Sequence, residues 1–152
     1  MKKLILIVGF LALSATANAQ PEKLTELRYH LSRIYGNDNV NDFSEGLICV
    51  QLNGKYGFID TTEKLVVPFK YDDANDFSDG FACVKLNNKY GCIDTTGIEV
   101  IPLKYDEVIY FSGGLADVAL NDKCGFIDKM GKVVIPLKYD YASIFIKGLA
   151  CV

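Results

Sequence analysis

From Phe43 onward the chain repeats itself. Phe43, Phe77, Phe111 and Phe145 recur at a constant step of 34 residues, and Gly46, Gly80, Gly114 and Gly148 keep the same step. So do Pro68, Pro102 and Pro136, and the pairs Tyr71-Asp72, Tyr105-Asp106 and Tyr139-Asp140. No insertion or deletion interrupts the period. A fixed period of this length means one supersecondary unit copied along the chain, with each copy burying apolar side chains against its neighbours. The complete units are 43–76, 77–110 and 111–144, and 145–152 restarts the pattern.

Each unit reads as β-structure. Leu47–Leu52, Phe81–Leu86 and Leu115–Leu120 alternate in polarity, with Ile48, Val50 and Leu52 apolar and their counterparts likewise. Period two predicts a strand with one buried face. Asn53-Gly54, Asn87-Asn88 and Asn121-Asp122 follow, the residue types of a two-residue hairpin whose two central positions need positive φ. The second strand is Lys55–Asp60 and its equivalents. After a turn at 61–64, the third is 65–67, 99–101 and 133–135, closed by a proline that cannot donate to a ladder. The segment 71–76 is expected to be a turn or a short helical turn leading to the next unit. The expectation is therefore all-β: an open, solenoid-like array of three-stranded antiparallel meanders, with a partly closed sheet stack or propeller-like arc as the alternative.

Ahead of the array, residues 20–42 form a helix and linker. Leu24, Leu27, Leu31 and Ile34 are spaced for one helical face, with Pro21 at the start and Gly36 at the stop. This helix is expected to cap the first unit, because repeat arrays need their terminal core covered. A docking helix for a partner is the alternative. His30 lies beside the stripe without metal-binding or catalytic companions nearby and is read as a boundary residue.

Residues 1–19 read as an export signal. Lys2 and Lys3 precede an apolar run at 4–13, and Ala17-Asn18-Ala19 places the cut between Ala19 and Gln20. The run is too short to span a bilayer, and no cysteine stands at the cut for a lipid anchor. A secreted or periplasmic bacterial protein is expected, with no membrane span after signal removal.

The string Asn53-Gly54-Lys55-Tyr56-Gly57-Phe58-Ile59-Asp60, then Val67-Pro68, Tyr71-Asp72 and Phe77-Ser78-Asp79-Gly80, resembles the bacterial WG repeat, and the resemblance covers 43–152. Tyr56, Tyr90 and Cys124 stand at the tryptophan position, each followed by Gly57, Gly91 or Gly125. The resemblance implies a β-rich repeat array serving protein–protein contacts, and implies no catalytic residue.

Several repeating side chains admit a chemical role. Gly57, Gly91 and Gly125 lie inside strands, where glycine marks a bulge or a close approach of another backbone. Asp60, Asp94 and Asp128 end the second strand and are read as Asx turns rather than calcium ligands, since each loop offers too few oxygens. Asp72, Asp106 and Asp140 are read the same way. Lys55, Lys89 and Lys123 form one cationic row and Lys70, Lys104 and Lys138 another. These rows are the candidate binding surface for an acidic protein or a carbohydrate, set against the plainer reading of a solvated face.

Cysteine occupies 49, 83, 92, 124 and 151. Cys49, Cys83 and Cys151 share a repeat position that holds Asp117 in the third unit, so that position is expected near the surface. Cys92 and Cys124 replace aromatics and are read as core or half-core fillers. Stacking could bring Cys49 near Cys83, within the Cα separation of about 7 Å that a bridge needs, but the pattern reads as positional drift rather than a disulfide framework. No zinc-type spacing appears.

The chain has 152 residues, 50% hydrophobic and 23% charged, with net charge −3. That supports a folded core and gives no basic excess for nucleic acid. One histidine and no tryptophan leave little for acid–base chemistry. The expectation is a protein-binding or scaffolding module, not an enzyme, without cofactor or metal, whose partner is another protein or itself. The rivals are a self-associating structural component of the cell envelope, and a non-catalytic fragment of a longer protein with an effector domain after residue 152.

Overall fold

The repeating unit folds as a four-stranded antiparallel sheet, one strand more than its sequence pattern suggests. The computed structural model describes residues 21–108, 111 and 113–142. The signal reading, its Ala19–Gln20 cut and the partial unit 145–152 lie outside the described residues.

Helix α1 spans Pro21–Tyr35. The first sheet follows as β1 (Val40–Ser44), β2 (Leu47–Leu52), β3 (Lys55–Asp60) and β4 (Leu65–Tyr71). The second is β5 (Asp73–Ala74), β6 (Phe81–Leu86), β7 (Lys89–Asp94) and β8 (Glu99–Tyr105), and the third β9 (Glu107–Val108), β10 (Leu115–Leu120), β11 (Lys123–Asp128) and β12 (Val133–Tyr139). Among the described residues the fold is thus one helix and three open sheets, each in sequential strand order. It is not a closed solenoid.

The additional strand comes from the segment expected to be a turn. Asp73 and Ala74 pair with Lys85 and Val84, and Glu107 and Val108 pair with Ala119 and Val118. Two residues of the connection satisfy their backbone groups on the next hairpin, and so the second and third sheets each gain a short first edge.

Proline does not end the third strand either. β4 runs through Pro68 to Tyr71, but its register against β3 slips: Phe58 faces Val67 while Tyr56 faces Tyr71. Residues 68–70 bulge between those pairs. The same slip recurs at Pro102 and Pro136. Because β4, β8 and β12 are edge strands, a residue lacking an N–H is tolerated there, and the kink discourages pairing with a foreign strand.

The bulge explains Gly57, Gly91 and Gly125. A Cβ on Gly57 would sit 2.6 Å from the Val67 carbonyl oxygen, on Gly91 2.4 Å from that of Ile101, and on Gly125 2.6 Å from that of Ile135. The obstacles are backbone atoms, so no rotamer change relieves them. The close approach expected from the sequence is the backbone of the kinked neighbouring strand.

The hairpin turns form as their residues require. Asn53 and Gly54 have φ of 52° and 75°, and Asn87-Asn88 and Asn121-Asp122 are both left-handed too. At the following turn Gly97 and Gly131 have φ of 84° and 75°, whereas the first unit places Glu63 there at 65°.

The expectation of one buried face per strand is overturned. Leu47, Ile48, Cys49 and Val50 are all buried. Leu47 and Cys49 point forward, joining Phe58, Val67 and Tyr71 against Ala82, Val84 and Ile93 of the second sheet. Ile48, Val50 and Ile59 point back toward Leu27, Leu31 and Tyr35 of α1. The second sheet repeats this, with Cys83, Cys92, Ile101 and Tyr105 packing on Ala116, Val118 and Ile127 of the third. Both faces are buried because each has a neighbouring layer: α1 and the second sheet enclose the first, and the first and third sheets enclose the second. The helix covers the rear of the first sheet through Leu27 and Leu31, while Ile34, expected on that stripe, is exposed. Arg28 ties the helix down, donating from Nε to the Asn41 carbonyl at 3.0 Å and lying 2.8 Å from Asp42.

Two substitutions separate the local constraints. Gly91→Ala should destabilise by about 1–3 kcal/mol, because the obstructing backbone must shift. Glu63→Gly should stabilise slightly: it removes a left-handed cost of about 1–2 kcal/mol for a side-chain-bearing residue, offset by the exposed His30–Glu63 contact at 3.3 Å. Urea midpoints of the two variants should move in opposite directions.

Candidate binding surface

Strand ends place the repeating charges. Lys55 opens β3, and Asp72 follows the last residue of β4, which lies opposite Tyr56. The Lys55 ammonium therefore meets Asp72 Oδ1. Lys89 meets Asp106 and Lys123 meets Asp140, each at 2.5 Å. The second carboxylate oxygen reaches onward. Asp72 Oδ2 accepts the Asn87 N–H at 2.7 Å, and Asp106 Oδ2 accepts that of Asn121 at 2.8 Å. Asp72 and Asp106 each join a lysine of their own unit to the hairpin turn of the next. The Lys55 and Lys89 ammonium groups, seconded by those N–H donors, hold Asp72 and Asp106 below the usual carboxylate range. The Asx-turn reading of Asp72 and Asp106 is corrected: they staple one repeat to the next, while Asp140 pairs with Lys123 of its own unit.

Asp60, Asp94 and Asp128 do form Asx turns. Asp60 Oδ1 accepts from the Thr62 N–H at 2.8 Å, the Thr62 hydroxyl at 2.6 Å and the Lys64 N–H at 3.0 Å. Asp94 is bonded likewise by Thr96 and Ile98, and Asp128 by Met130 and Lys132. The Thr96 hydroxyl bond keeps Asp94 below the ordinary range.

Both candidate lysine rows are thus engaged by the protein itself. Lys55, Lys89 and Lys123 neutralise Asp72, Asp106 and Asp140. Lys70, Lys104 and Lys138 lie over the rings of Tyr71, Tyr105 and Tyr139 at 4.8, 5.1 and 5.2 Å. The residues at the tryptophan position are half-buried. Tyr56 packs against the first interlayer core and Tyr90 against the second, where Lys85 covers its ring at 5.0 Å, and Cys124 is intermediate in exposure.

The opposite end of the sheets carries a feature that the sequence reading missed. Leu65, Ile98, Met130, Val133 and Val134 are exposed, Ile98 to 64% and Met130 to 85%. All lie at or beside the turns between the third and fourth strands of their sheets. Successive turns follow one another along that end, since Gly97 lies against Val67 and Gly131 near Ile101. The signal was readable: Thr62 and Thr96 become Met130, and Lys64 becomes Ile98, at positions where the turn needs no apolar residue.

The cysteine positions also depart from expectation. Cys49 and Cys83 are buried, as is Asp117 at the same position, at 6% exposure. In the first two repeats that site faces the next sheet, and in none of the three is it superficial. Cys49 and Cys83 occupy different interlayer cores, so stacking does not bring them together. Cys92 is fully buried, as a core filler should be.

Asp117 Oδ1 has no hydrogen-bond partner among the described residues. Burial, then repulsion from Glu107, raises its carboxyl above the usual range. A raised folded value means stability is greatest below the unfolded value and is lost as pH climbs through the folded one. Asp117→Cys, the residue of the first two units, should therefore stabilise the protein at pH 7 by about 1–3 kcal/mol, the cost of an unsatisfied buried polar group. Urea titrations under reducing conditions should show that gain shrinking on acidification toward the ordinary carboxylate range.

The chain matches a family model described as WG containing repeat over residues 38–56, 56–90, 90–124 and 125–152. No curated protein matches it. The second and third matched segments begin at Tyr56 and Tyr90, the aromatics that precede the obstructed glycines. With the kinked edge strand, the close-packed glycine and the interlayer aromatic recurring along the matched length, the chain belongs to the WG containing repeat family.

Proposed function

We propose that this chain is an exported, non-catalytic protein-binding module, in which an open, solenoid-like stack of repeat sheets holds a contact surface in place. The observation that carries this reading is the apolar strip of Ile98, Met130, Val133 and Val134 at one end of the second and third sheets. Apolar side chains gathered on exposed turns favour a protein partner over a carbohydrate or a nucleic acid. The lysine rows are set aside as the principal surface, because staples and tyrosine rings already engage them. A non-catalytic role is supported by the carboxylates at 60, 72, 94 and 106, whose oxygens are committed to turns and staples. Export is supported by Lys2, Lys3, the apolar run at 4–13 and Ala17-Asn18-Ala19. The same strip would serve a second copy of the chain, which is the envelope-scaffold alternative.

A photo-crosslinking residue at position 130, in cells producing the protein at native level, should yield a defined adduct with one other protein. Ile98→Asp and Val134→Asp should each weaken that contact about tenfold or more, as loss of a central apolar anchor does, with the urea midpoint preserved. An adduct of the chain with itself, matched by concentration-dependent sedimentation, assigns the strip to self-association. No adduct from position 130 or 134 removes the strip as the binding surface.

A further inference from the structure

Among the described repeats, only the second places cysteine on both strands of its central hairpin at directly opposed positions. Cys83 of β6 faces Cys92 of β7, and their Sγ atoms lie 2.9 Å apart. The first repeat has Cys49 opposite Phe58 and the third has Asp117 opposite Phe126. The two cysteines are symmetric about the Asn87-Asn88 turn. Leu86 and Lys89 close that turn as a hydrogen-bonded pair, so pairs alternate outward and Cys83–Cys92 falls on a non-hydrogen-bonded one. The Cys83 carbonyl agrees, since it accepts from the Asn75 N–H at 3.0 Å on the other side of β6. Opposed residues of this kind have Cα atoms about 4.5 Å apart, inside the range that a disulfide spans.

We propose that Cys83 and Cys92 are a disulfide-forming pair that crosslinks the β6–β7 hairpin. The hairpin is local, so the pair can oxidise before the third sheet covers it. Cys83 is the entering group. It borders a small cleft with Asn75, Asp76, Ser78, Phe81 and Phe111, whereas Cys92 is fully buried. The hydrogen bond between the two thiols lowers the Cys83 pKa and, with burial, pushes that of Cys92 up. The oxidant is a disulfide of the dithiol–disulfide class. The Cys83 thiolate attacks one donor sulfur, forms a mixed disulfide and releases one donor thiol. The Cys92 sulfur, losing its proton, then attacks the Cys83 sulfur, closes the protein bond and releases the second donor thiol. Two protein thiols are oxidised and one donor disulfide is reduced. Once the third sheet stacks, Ala116, Val118 and Ile127 enclose the bond and shield it from reductants. The inference is independent of what the array binds.

The test is a peptide map of the full chain refolded with oxidised glutathione, then denatured and alkylated without reductant. Trypsin cuts after Lys70, Lys85, Lys89 and Lys104, which puts Cys83 on peptide 71–85 and Cys92 on peptide 90–104. The expected result is that these two peptides run as one linked species in most molecules and separate on reduction. Cys49 and Cys124 should be alkylated. Cys83→Ser should free Cys92 for alkylation, and Cys92→Ser should free Cys83. Recovery of both peptides singly alkylated overturns the proposal, and so does linkage of either to another cysteine. Should either serine variant fail to fold, the wild-type map decides alone.

Discussion

Every central strand carries apolar side chains of both parities, and the architecture depends on that fact. A sheet with one apolar face can rest against a single neighbour. A sheet such as the second, with Ala82, Val84 and Ile93 on one side and Cys83, Cys92 and Ile101 on the other, needs neighbours on both. Fully burying one Val, Ile, Leu or Phe stabilises by about 1.5–3 kcal/mol, so an unstacked repeat would forgo most of its folding free energy. Stability is therefore a property of adjacent layers, as expected of repeat arrays. Helix α1 follows from the same requirement. Ile48, Val50 and Ile59 have no preceding sheet to meet, and Leu27, Leu31 and Tyr35 take its place.

Layers held only by apolar contact can slide, and the polar staples resist that. Asp72 joins Lys55 of one repeat to the Asn87 amide of the next, and Asp106 repeats the arrangement with Lys89 and Asn121. Exposed ion pairs contribute little to stability. Their value here is geometric: a carboxylate that must reach both an ammonium and a particular amide admits one register. At the other end of the sheets, the Glu45 carboxylate accepts the Gly80 N–H at 3.0 Å, and Ser44 donates to the Phe77 carbonyl at 2.6 Å. The first two layers are thereby pinned at both ends, which leaves the edges free to be kinked by proline.

Much of this fold was legible because the repeat compares the sequence with itself. Three aligned copies identified the hairpin turns, the obstructed glycines and the Asx turns, each set by backbone geometry within a few residues. What escaped was governed by contacts between copies. The short strands at 73–74 and 107–108 exist because the next hairpin offers them partners, and nothing in Asp73-Ala74 alone announces a strand. Pro68 suggested a stop because a ladder position was assumed, yet an edge strand asks nothing of its N–H. Asp117 at the Cys49 position suggested a surface site, but the residue is buried and strained by its burial. The lysine rows were visible as rows; that they were already engaged required knowing where Asp72 and Tyr71 lie.

Repetition identifies the scaffold, and departures from it mark where individual chemistry resides. Where the three units agree, as at Gly57, Gly91 and Gly125, the residue answers to geometry common to every layer. Where they differ, the layer geometry has left the choice open. Position 92 takes cysteine where its counterparts are Phe58 and Phe126, position 117 takes a carboxylate where Cys49 and Cys83 stand, and position 130 takes methionine where Thr62 and Thr96 serve the turn. None of these substitutions improves the local structure: the first removes aromatic volume from a core, the second buries a carboxylate with one oxygen unpartnered, and the third exposes an apolar side chain. A residue that costs its own layer something must be explained by redox chemistry, by a partner, or by tolerance of the loss. In this chain these three departures fall in the second and third repeats, away from the end that α1 covers.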